Sequence, residues 1–245
     1  MGSDSPRPGH YLSRSLRDEG EALFVPGHFQ FRDEAQMLSL VAAYPLAQLF
    51  TAEQGRHRVT ASPMVALPQR DARGALQFIG HMAGRNPQVS AIQAGARATA
   101  VFSGPGAYVS PQWFRVTHTA PTWNYRAVQA HGQLEAITDP EGVREVLRRT
   151  IDHVELGAHP DPGATRWTLD DLPRERADFL LDKVTAFRLV ITHLEGVNRL
   201  NQDKHLDDIL GIMAALSESP QPQGAAVAGA MAAELAGALP LPVSA

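Results

Sequence analysis

The chain has 245 residues, 44% of them apolar, so it is long enough to bury a hydrophobic core without covalent or metal cross-links. It contains no cysteine, which excludes disulfides, iron–sulfur clusters, thiolate-ligated haem, cysteine-type zinc sites and cysteine nucleophiles. The net charge of −4, with no clustered basic face, argues against nucleic-acid binding. The N-terminus has no apolar signal segment and the Ala/Gly-rich stretch 224–243 carries Glu234, so we expect a soluble, cytoplasmic protein without a membrane span.

The first half of the chain predicts a helix followed by short strands. After a flexible N-terminal tail at residues 1–22, the apolar spacing predicts a helix over Glu34–Ala43 that ends before Pro45. Asn86 and Pro87 mark the start of a short helix between the third and fourth strands. The four strand-like segments, each bounded by Gly, Pro or Asp, are 47–51, 58–67, 76–81 and 98–102.

The second half predicts one long strand over 122–138, or two strands with a break at Gly132. A helix capped by Thr138 follows, with Pro140 in its first turn. Further on we expect a helix over 169–184, a β-rich run over 186–197, and a helix over 203–216 with Leu206, Ile209, Leu210 and Met213 facing inward. Residues 217–245 are rich in Ala, Gly and Pro and predict a tail, in which 225–238 has a weak helical tendency.

The order of these elements indicates the fold class. Many short strands with few crossover helices favour an antiparallel barrel with peripheral helices over a doubly wound sheet. We therefore predict a mainly β, α+β domain over residues 23–216 between the tails 1–22 and 217–245.

Five segments resemble, in order, the family of FMN-binding negative transcriptional regulators. They are FVPGHF at 24–29, GHMAGRNPQ at 80–88, FSGPGAYVSPQWF at 102–114, APTWNYRAVQAHGQL at 120–134 and LEGVNRLNQDK at 194–204. The resemblance implies an FMN-binding split β-barrel that forms a homodimer and binds its cofactor in clefts between the two protomers.

The chain departs from the flavin-binding members where they hold the cofactor phosphate. Residues 61–64 lack the histidine of a His-Leu-Pro-Phe strand, Arg85 is moved by one position, the link 115–119 is shortened, and 199–204 read RLNQDK in place of KLSQNR. A flavin phosphate needs cationic or backbone N–H donors in fixed places. The short link and the proline-centred strand resemble instead the haem-dependent piperazate synthases. That branch implies haem b and cyclisation of N5-hydroxy-L-ornithine to L-piperazic acid; an FMN-binding oxidoreductase or flavin-binding regulator is the alternative.

The iron ligand of a cysteine-free haem protein is most simply a histidine. We predict His81 as the metal ligand, because it ends a strand just before the Asn86 helix start, which would place it at a barrel mouth. His118 and His131 are the alternatives. A structural role for His81 stays open, since lone histidines usually pack against backbone.

The resemblance also assigns the remaining site residues. Cofactor contacts are expected from Arg85, Asn86, Ser110, Trp123, Tyr125 and Gln202, and catalytic contacts from Tyr108, Thr122 and Asn124. Arg85, Arg115 and Arg199 are candidates to anchor the substrate carboxylate, and Lys204 is a candidate to close the site. Aromatic residues in strand-rich segments are more often part of core or interface packing than of a cofactor site.

Overall fold

The computed structural model describes residues 23–52 and 59–238, so the predicted tail 1–22 and the end of the chain from 239 lie outside the described residues. The described residues form six strands: β1 Leu46–Ala52, β2 Val59–Arg70, β3 Leu76–Ala83, β4 Arg97–Val109, β5 Thr122–Ile137 and β6 Val184–Arg199. The helices are α1 Glu34–Ala43, α2 Val89–Gln93, α3 Pro140–Ala158, α4 Arg174–Leu181, α5 Leu206–Glu218 and α6 Gly224–Ala238. None of these helices combines the length and the apolar character that a bilayer crossing requires.

The strands form a closed barrel in the order β1-β2-β3-β6-β5-β4, and every neighbouring pair is antiparallel. The predicted antiparallel barrel with peripheral helices is therefore confirmed. In this order β3 and β4 lie on opposite sides of the barrel, with two strands between them in either direction.

The barrel interior is filled by alternate side chains of every strand. Phe78 and Phe102 meet there with ring centroids 5.2 Å apart, and Phe187 packs with them. Leu40 and Val41 of α1 belong to the same buried cluster. Since α1 contacts β2, β4, β5 and β6, it closes one end of the barrel.

The three longest strands continue beyond the barrel. β1 pairs with β4 only as far as Phe102, whereas the pairing of β4 with β5 continues to Val109. The helices α5 and α6 pack on this extension and bury an apolar cluster with it: Ala107, Val109, Leu200, Ile209, Ile212, Leu216, Val227, Ala228 and Met231.

The predicted C-terminal tail is wrong for residues 224–238, which form α6. Val227, Ala228 and Met231 share one face of the helix and are buried against α5 and β4. Glu234 adds an ion pair to Arg32 at 2.6 Å and accepts a hydrogen bond from Asn198 at 2.8 Å. The composition of this segment predicts only a weak helix, so α6 is stabilised by tertiary packing, which outweighs intrinsic helix propensity.

The helix ends differ from the prediction in small ways. Asp139, and not Thr138, caps α3 by accepting a hydrogen bond from the Gly142 N–H at 2.6 Å. In α5, Leu206 and Leu210 are exposed, while Asp208 is fully buried. The buried face of this helix is thus rotated from the expected one.

Gly132 in β5 carries a strict steric constraint. A Cβ at this position would lie 2.1 Å from the Val190 carbonyl oxygen of β6, beside an irregularity in the strand register. Gly157 in α3 has no atom within 4 Å of the same virtual Cβ.

We predict that Gly132→Ala lowers the free energy of unfolding by at least about 2 kcal/mol, because the β5–β6 backbones must separate. Gly157→Ala is the matched control and should raise it by about 0.5 kcal/mol, because alanine costs less entropy in a helix. Urea unfolding of both variants checks this. An equal effect of the two substitutions would contradict the close approach.

Candidate cofactor site

The residues predicted for the site fall into two groups on the barrel. One group surrounds the end of β3: His81, Arg85 and Asn86. The other surrounds the β4–β5 extension: Tyr108, Ser110, Thr122, Trp123, Asn124, Tyr125 and Gln202. His81 pairs with Ala186 of β6, and Tyr125 pairs with Arg199, thirteen residues later on the same strand. At about 3.3 Å per residue this is roughly 40 Å of strand, so one chain does not bring both groups around one cofactor.

His81 lies on the outer face of β3, not at the barrel mouth that the sequence suggested. Gly80 and Met82 occupy the inward positions on either side, and Ile79 packs outward against Val146 of α3. The His81 ring is half-buried and its Nδ1 has no hydrogen-bond partner. Burial lowers the pKa of His81, so the imidazole is held in its neutral form.

The turn after β3 is held by Asn86. Its Nδ2 donates to Ser62 Oγ at 3.0 Å and its Oδ1 accepts from the Gln88 N–H at 2.9 Å. The short helix α2 therefore begins at Val89, later than predicted, and Asn86 has a structural role in the turn. Arg85 is exposed and forms no ion pair within residues 23–52 and 59–238.

Aromatic side chains cover the outer face of the β4–β5 extension. Trp123 is 52% exposed, and Tyr108 and Tyr125 are each 39% exposed. Tyr108 meets Trp113 and Trp123 edge-on, both at 6.4 Å. An exposed aromatic face of this kind is typical of an interface or of a site for a planar ligand. We call these four residues the aromatic face.

Asn124 lies on the opposite side of the same strand and does not take part in the aromatic face. It is fully buried beneath α6, where its Nδ2 lies 3.4 Å from Met231 Sδ and its Oδ1 has no partner. The side-chain alternation of β5 turns Asn124 away from Trp123 and Tyr125, and its catalytic contact stays a prediction.

The other polar residues of this group make contacts within the chain. Thr122 Oγ1 accepts from Arg199 Nη2 at 2.8 Å. Ser110 accepts from the Gln112 N–H at 3.3 Å, at the start of a 3-10 turn. Gln202 accepts from the Leu200 N–H at 2.8 Å and holds the turn after β6. Their contacts with a cofactor stay predictions.

Arg199 and Lys204 are also engaged within the chain. The guanidinium of Arg199 lies over the Phe29 ring at 5.0 Å, and its Nε is buried without a partner. Lys204 pairs with Asp203 at 2.8 Å. Both cationic side chains are therefore already in contact with neighbouring residues, which argues against either of them as a phosphate-binding group.

Asp208 organises the shortened link that leads into β5, a role that the sequence did not reveal. Its Oδ1 accepts from the N–H groups of Arg115 and Val116, both at 2.7 Å, and its Oδ2 accepts from the N–H of Thr117 at 3.2 Å. Burial alone would raise the pKa of Asp208, but hydrogen bonds from the Thr117 side chain and these backbone groups lower it to about 2. The feature of the sequence that could have revealed this role is an aspartate on the otherwise apolar face of α5.

Of the other histidines, His131 and His153 make hydrogen bonds within the chain. His118, the first alternative ligand, is exposed on the link. His131, the second, bonds Thr99 Oγ1 through Nδ1 and Glu195 Oε1 through Nε2, both at 2.9 Å. His153 donates to the Ala42 carbonyl at 2.8 Å. Across the part of the chain that the structure describes, no group of three His, Asp or Glu side chains is arranged to hold a metal ion.

The pKa of Asp208 predicts a pH-dependent contribution to stability. Because the folded pKa lies below the usual 3.8, this contribution is present above pH 3.8 and is lost as the pH falls toward about 2. Asp208→Asn should therefore destabilise the protein at pH 7, and the difference from the wild type should shrink between about pH 4 and pH 2. Urea unfolding across this range measures it, with the exposed Asp207→Asn as control; a difference that does not change with pH would contradict the assignment.

Comparison with known proteins agrees with the barrel. Residues 23–193 match the model of the family described as "Putative FMN-binding domain". The chain is 24% identical over 209 residues to the Protease synthase and sporulation protein PAI 2 of Bacillus subtilis, which covers 85% of this chain and 96% of that protein.

Two solved structures share the fold. The FAD and haem binding protein from Mycobacterium smegmatis superposes with a TM-score of 0.52 at 18% identity, covering 74% of this chain and 78% of that one. The flavocytochrome Anf3 from Azotobacter vinelandii does so with a TM-score of 0.50 at 17% identity, covering 70% and 69%. Since the family model spans more than half of the sequence, this chain belongs to the FMN-binding domain family.

Proposed function

We propose that this chain is a haem-dependent piperazate synthase, which cyclises N5-hydroxy-L-ornithine to L-piperazic acid. The observation that carries the proposal is His81, a half-buried, neutral imidazole whose Nδ1 has no partner. A neutral imidazole is the form that binds haem iron. The sequence departures described above support haem over FMN at the same fold.

The candidate phosphate donors argue in the same direction. Lys204 is paired with Asp203, and Ser110 accepts a hydrogen bond from the following turn. Arg85 belongs to the group around His81, which pairs with the beginning of β6, whereas Lys204 and Ser110 lie near the other end of that strand. An FMN phosphate needs several such donors close together, and in one chain they are separated.

The reaction is redox-neutral. One N–N bond forms, one N–O bond breaks, and the hydroxyl leaves as water with a proton from the attacking α-amine. Bound haem would supply Lewis acidity that makes the hydroxylamine nitrogen electrophilic. The chain's own task is to bind the iron through His81 and to hold the flexible substrate so that its two nitrogens meet, which is worth up to roughly 7–11 kcal/mol in ideal cases.

Arg85 is the best candidate to anchor the substrate carboxylate. It follows His81 by four residues, it is exposed, and no carboxylate pairs with it in the described ranges. Arg199 is held by Thr122 and Phe29, and Arg115 lies on the link that Asp208 fixes. A guanidinium can bind a carboxylate through two parallel hydrogen bonds.

A homodimer completes the proposed site. The aromatic face of one protomer would lie against the His81 region of its partner and cover the planar cofactor. The exposure of Trp123, Tyr108 and Tyr125 supports an interface at this face. One structural neighbour is described as binding FAD and haem, which supports the proposal of haem at this fold.

The second candidate function is an FMN-binding oxidoreductase or flavin-binding regulator. The family match favours it directly, since that family is described by FMN binding. The same aromatic face would then stack on the isoalloxazine ring.

Absorption spectra of the protein incubated with haem or with FMN separate the two candidates. We expect a Soret band with haem that His81→Ala loses, because the axial nitrogen is removed. His159→Ala, at an exposed position at the end of α3, is the control and should keep the wild-type spectrum. Tight binding of FMN alone, or an unchanged Soret band in His81→Ala, would refute the assignment.

Turnover of N5-hydroxy-L-ornithine, followed by mass spectrometry as the loss of one water, tests the reaction. Arg85→Gln should lower kcat/KM by about tenfold or more, chiefly through KM, because a charge-assisted carboxylate contact is lost. Arg73→Gln removes an exposed arginine from the β2–β3 turn and should leave kcat/KM unchanged. Wild-type protein that binds haem but forms no dehydrated product would rule out the proposed reaction.

A further inference from the structure

A second polar cluster lies on the outer face of the barrel, away from both groups of the proposed cofactor site. It is built across three adjacent strands, where Thr99 of β4 pairs with His131 of β5, and His131 pairs with His193 of β6. The inward neighbours Ala98, Ala100 and Ala130 belong to the barrel core, so these three side chains point outward. Glu195, two residues further along β6, completes the cluster.

Hydrogen bonds hold Thr99, His131 and one carboxylate oxygen of Glu195 in place. Thr99 Oγ1 donates to His131 Nδ1 at 2.9 Å, and His131 Nε2 then donates to Glu195 Oε1, also at 2.9 Å. Because a carboxylate can only accept, the Glu195 bond places a proton on His131 Nε2, and the Thr99 bond orients the ring. The Glu195 side chain is only 10% exposed.

The second carboxylate oxygen of Glu195 can still accept a hydrogen bond from a ligand. Among residues 23–52 and 59–238, Glu195 Oε2 accepts only the long hydrogen bond from the Leu23 N–H at 3.3 Å, and the buried His193 Nε2 lies 3.5 Å from it without a hydrogen-bond partner. The His131 and His193 rings stack at 5.9 Å with an angle of 24°, and among the described residues no group of three His, Asp or Glu side chains is arranged to hold a metal ion.

A cavity of about 190 Å³ opens beside these atoms. His193 and Glu195 supply its polar end, and its walls are mostly apolar: Leu23, Val25, Phe31, Met37 and Leu194. At about 30 Å³ per water this volume holds a ligand of roughly six non-hydrogen atoms.

The carboxylate charge of Glu195 determines that the cavity favours a cationic ligand. No Lys or Arg in the described ranges pairs with Glu195, and the Glu195 side chain is largely removed from water. An uncompensated buried carboxylate is costly, and a cation that fits the cavity relieves the cost. The nearby Arg126, over the Phe31 ring at 5.2 Å, interacts electrostatically with Glu234 instead.

We propose that this cavity binds a small primary ammonium ion on a short aliphatic chain. The ammonium group donates a hydrogen bond to Glu195 Oε2, and the chain packs against Val25, Phe31 and Met37. The site stands independently of the proposed cyclisation, since it shares no residue with the His81 group or the aromatic face.

Titration with n-butylammonium and with its neutral isostere n-butanol tests the proposal. Binding is followed by NMR of the imidazole ¹⁵N resonances of His131 and His193 at pH 8, above the ordinary titration range of imidazole. The wild type should bind n-butylammonium at least about tenfold more tightly than n-butanol, as expected for a charge-assisted hydrogen bond. Equal affinities, or no binding of the ammonium ion, would overturn the proposal.

Variants separate the carboxylate from the cavity. Glu195→Gln should weaken n-butylammonium binding by about tenfold and remove the preference over n-butanol. The control Glu135→Gln removes a half-exposed carboxylate of β5 that pairs with Arg188, and should bind as the wild type does. Val25→Trp, which fills the apolar wall, should abolish binding of both ligands even if Glu195→Gln does not fold. Wild-type affinity in Val25→Trp, or a response to Zn²⁺ at lower concentration than to n-butylammonium, would refute an ammonium site.

Discussion

The pairing of β5 with β6 is the constraint on which the rest of the molecule depends. It runs from Tyr125 opposite Arg199 to Ile137 opposite Ala186, with one irregularity beside Gly132. Because side chains alternate between the two faces of a strand, this register decides at each position which residue enters the core. A shift by one residue would place His131 and Tyr125 inside the barrel and expose Val128 and Leu134, which are fully buried.

The same register separates the two halves of the predicted cofactor site. β6 carries the partner of His81 near its beginning and the partner of Tyr125 at its end. The motifs that resemble a flavin or haem site therefore lie on distant surfaces of one protomer. In the proposed dimer, a second copy would present the missing surface to a single cofactor, and the exposed aromatic face would supply apolar area for the interface.

Two buried carboxylates show how the chain uses charge in different ways. Asp208 receives backbone N–H groups on both oxygens, so its charge is satisfied within the chain and fixes the link before β5. Glu195 is held on one oxygen by His131 and faces a cavity with the other. The first arrangement is complete and structural, whereas the second leaves an acceptor for a ligand.

The sequence by itself determined the antiparallel barrel, the bounds of α1 and the presence of α3 and α5, because apolar periodicity and capping residues act locally. It also determined the family, through the motifs around His81 and Trp123. Only the tertiary structure decided that Asn124 is buried under α6, that 224–238 pack as a helix, and that Thr99, His131, His193 and Glu195 meet. These features depend on strand register and on contacts between segments distant in sequence, which no local pattern encodes.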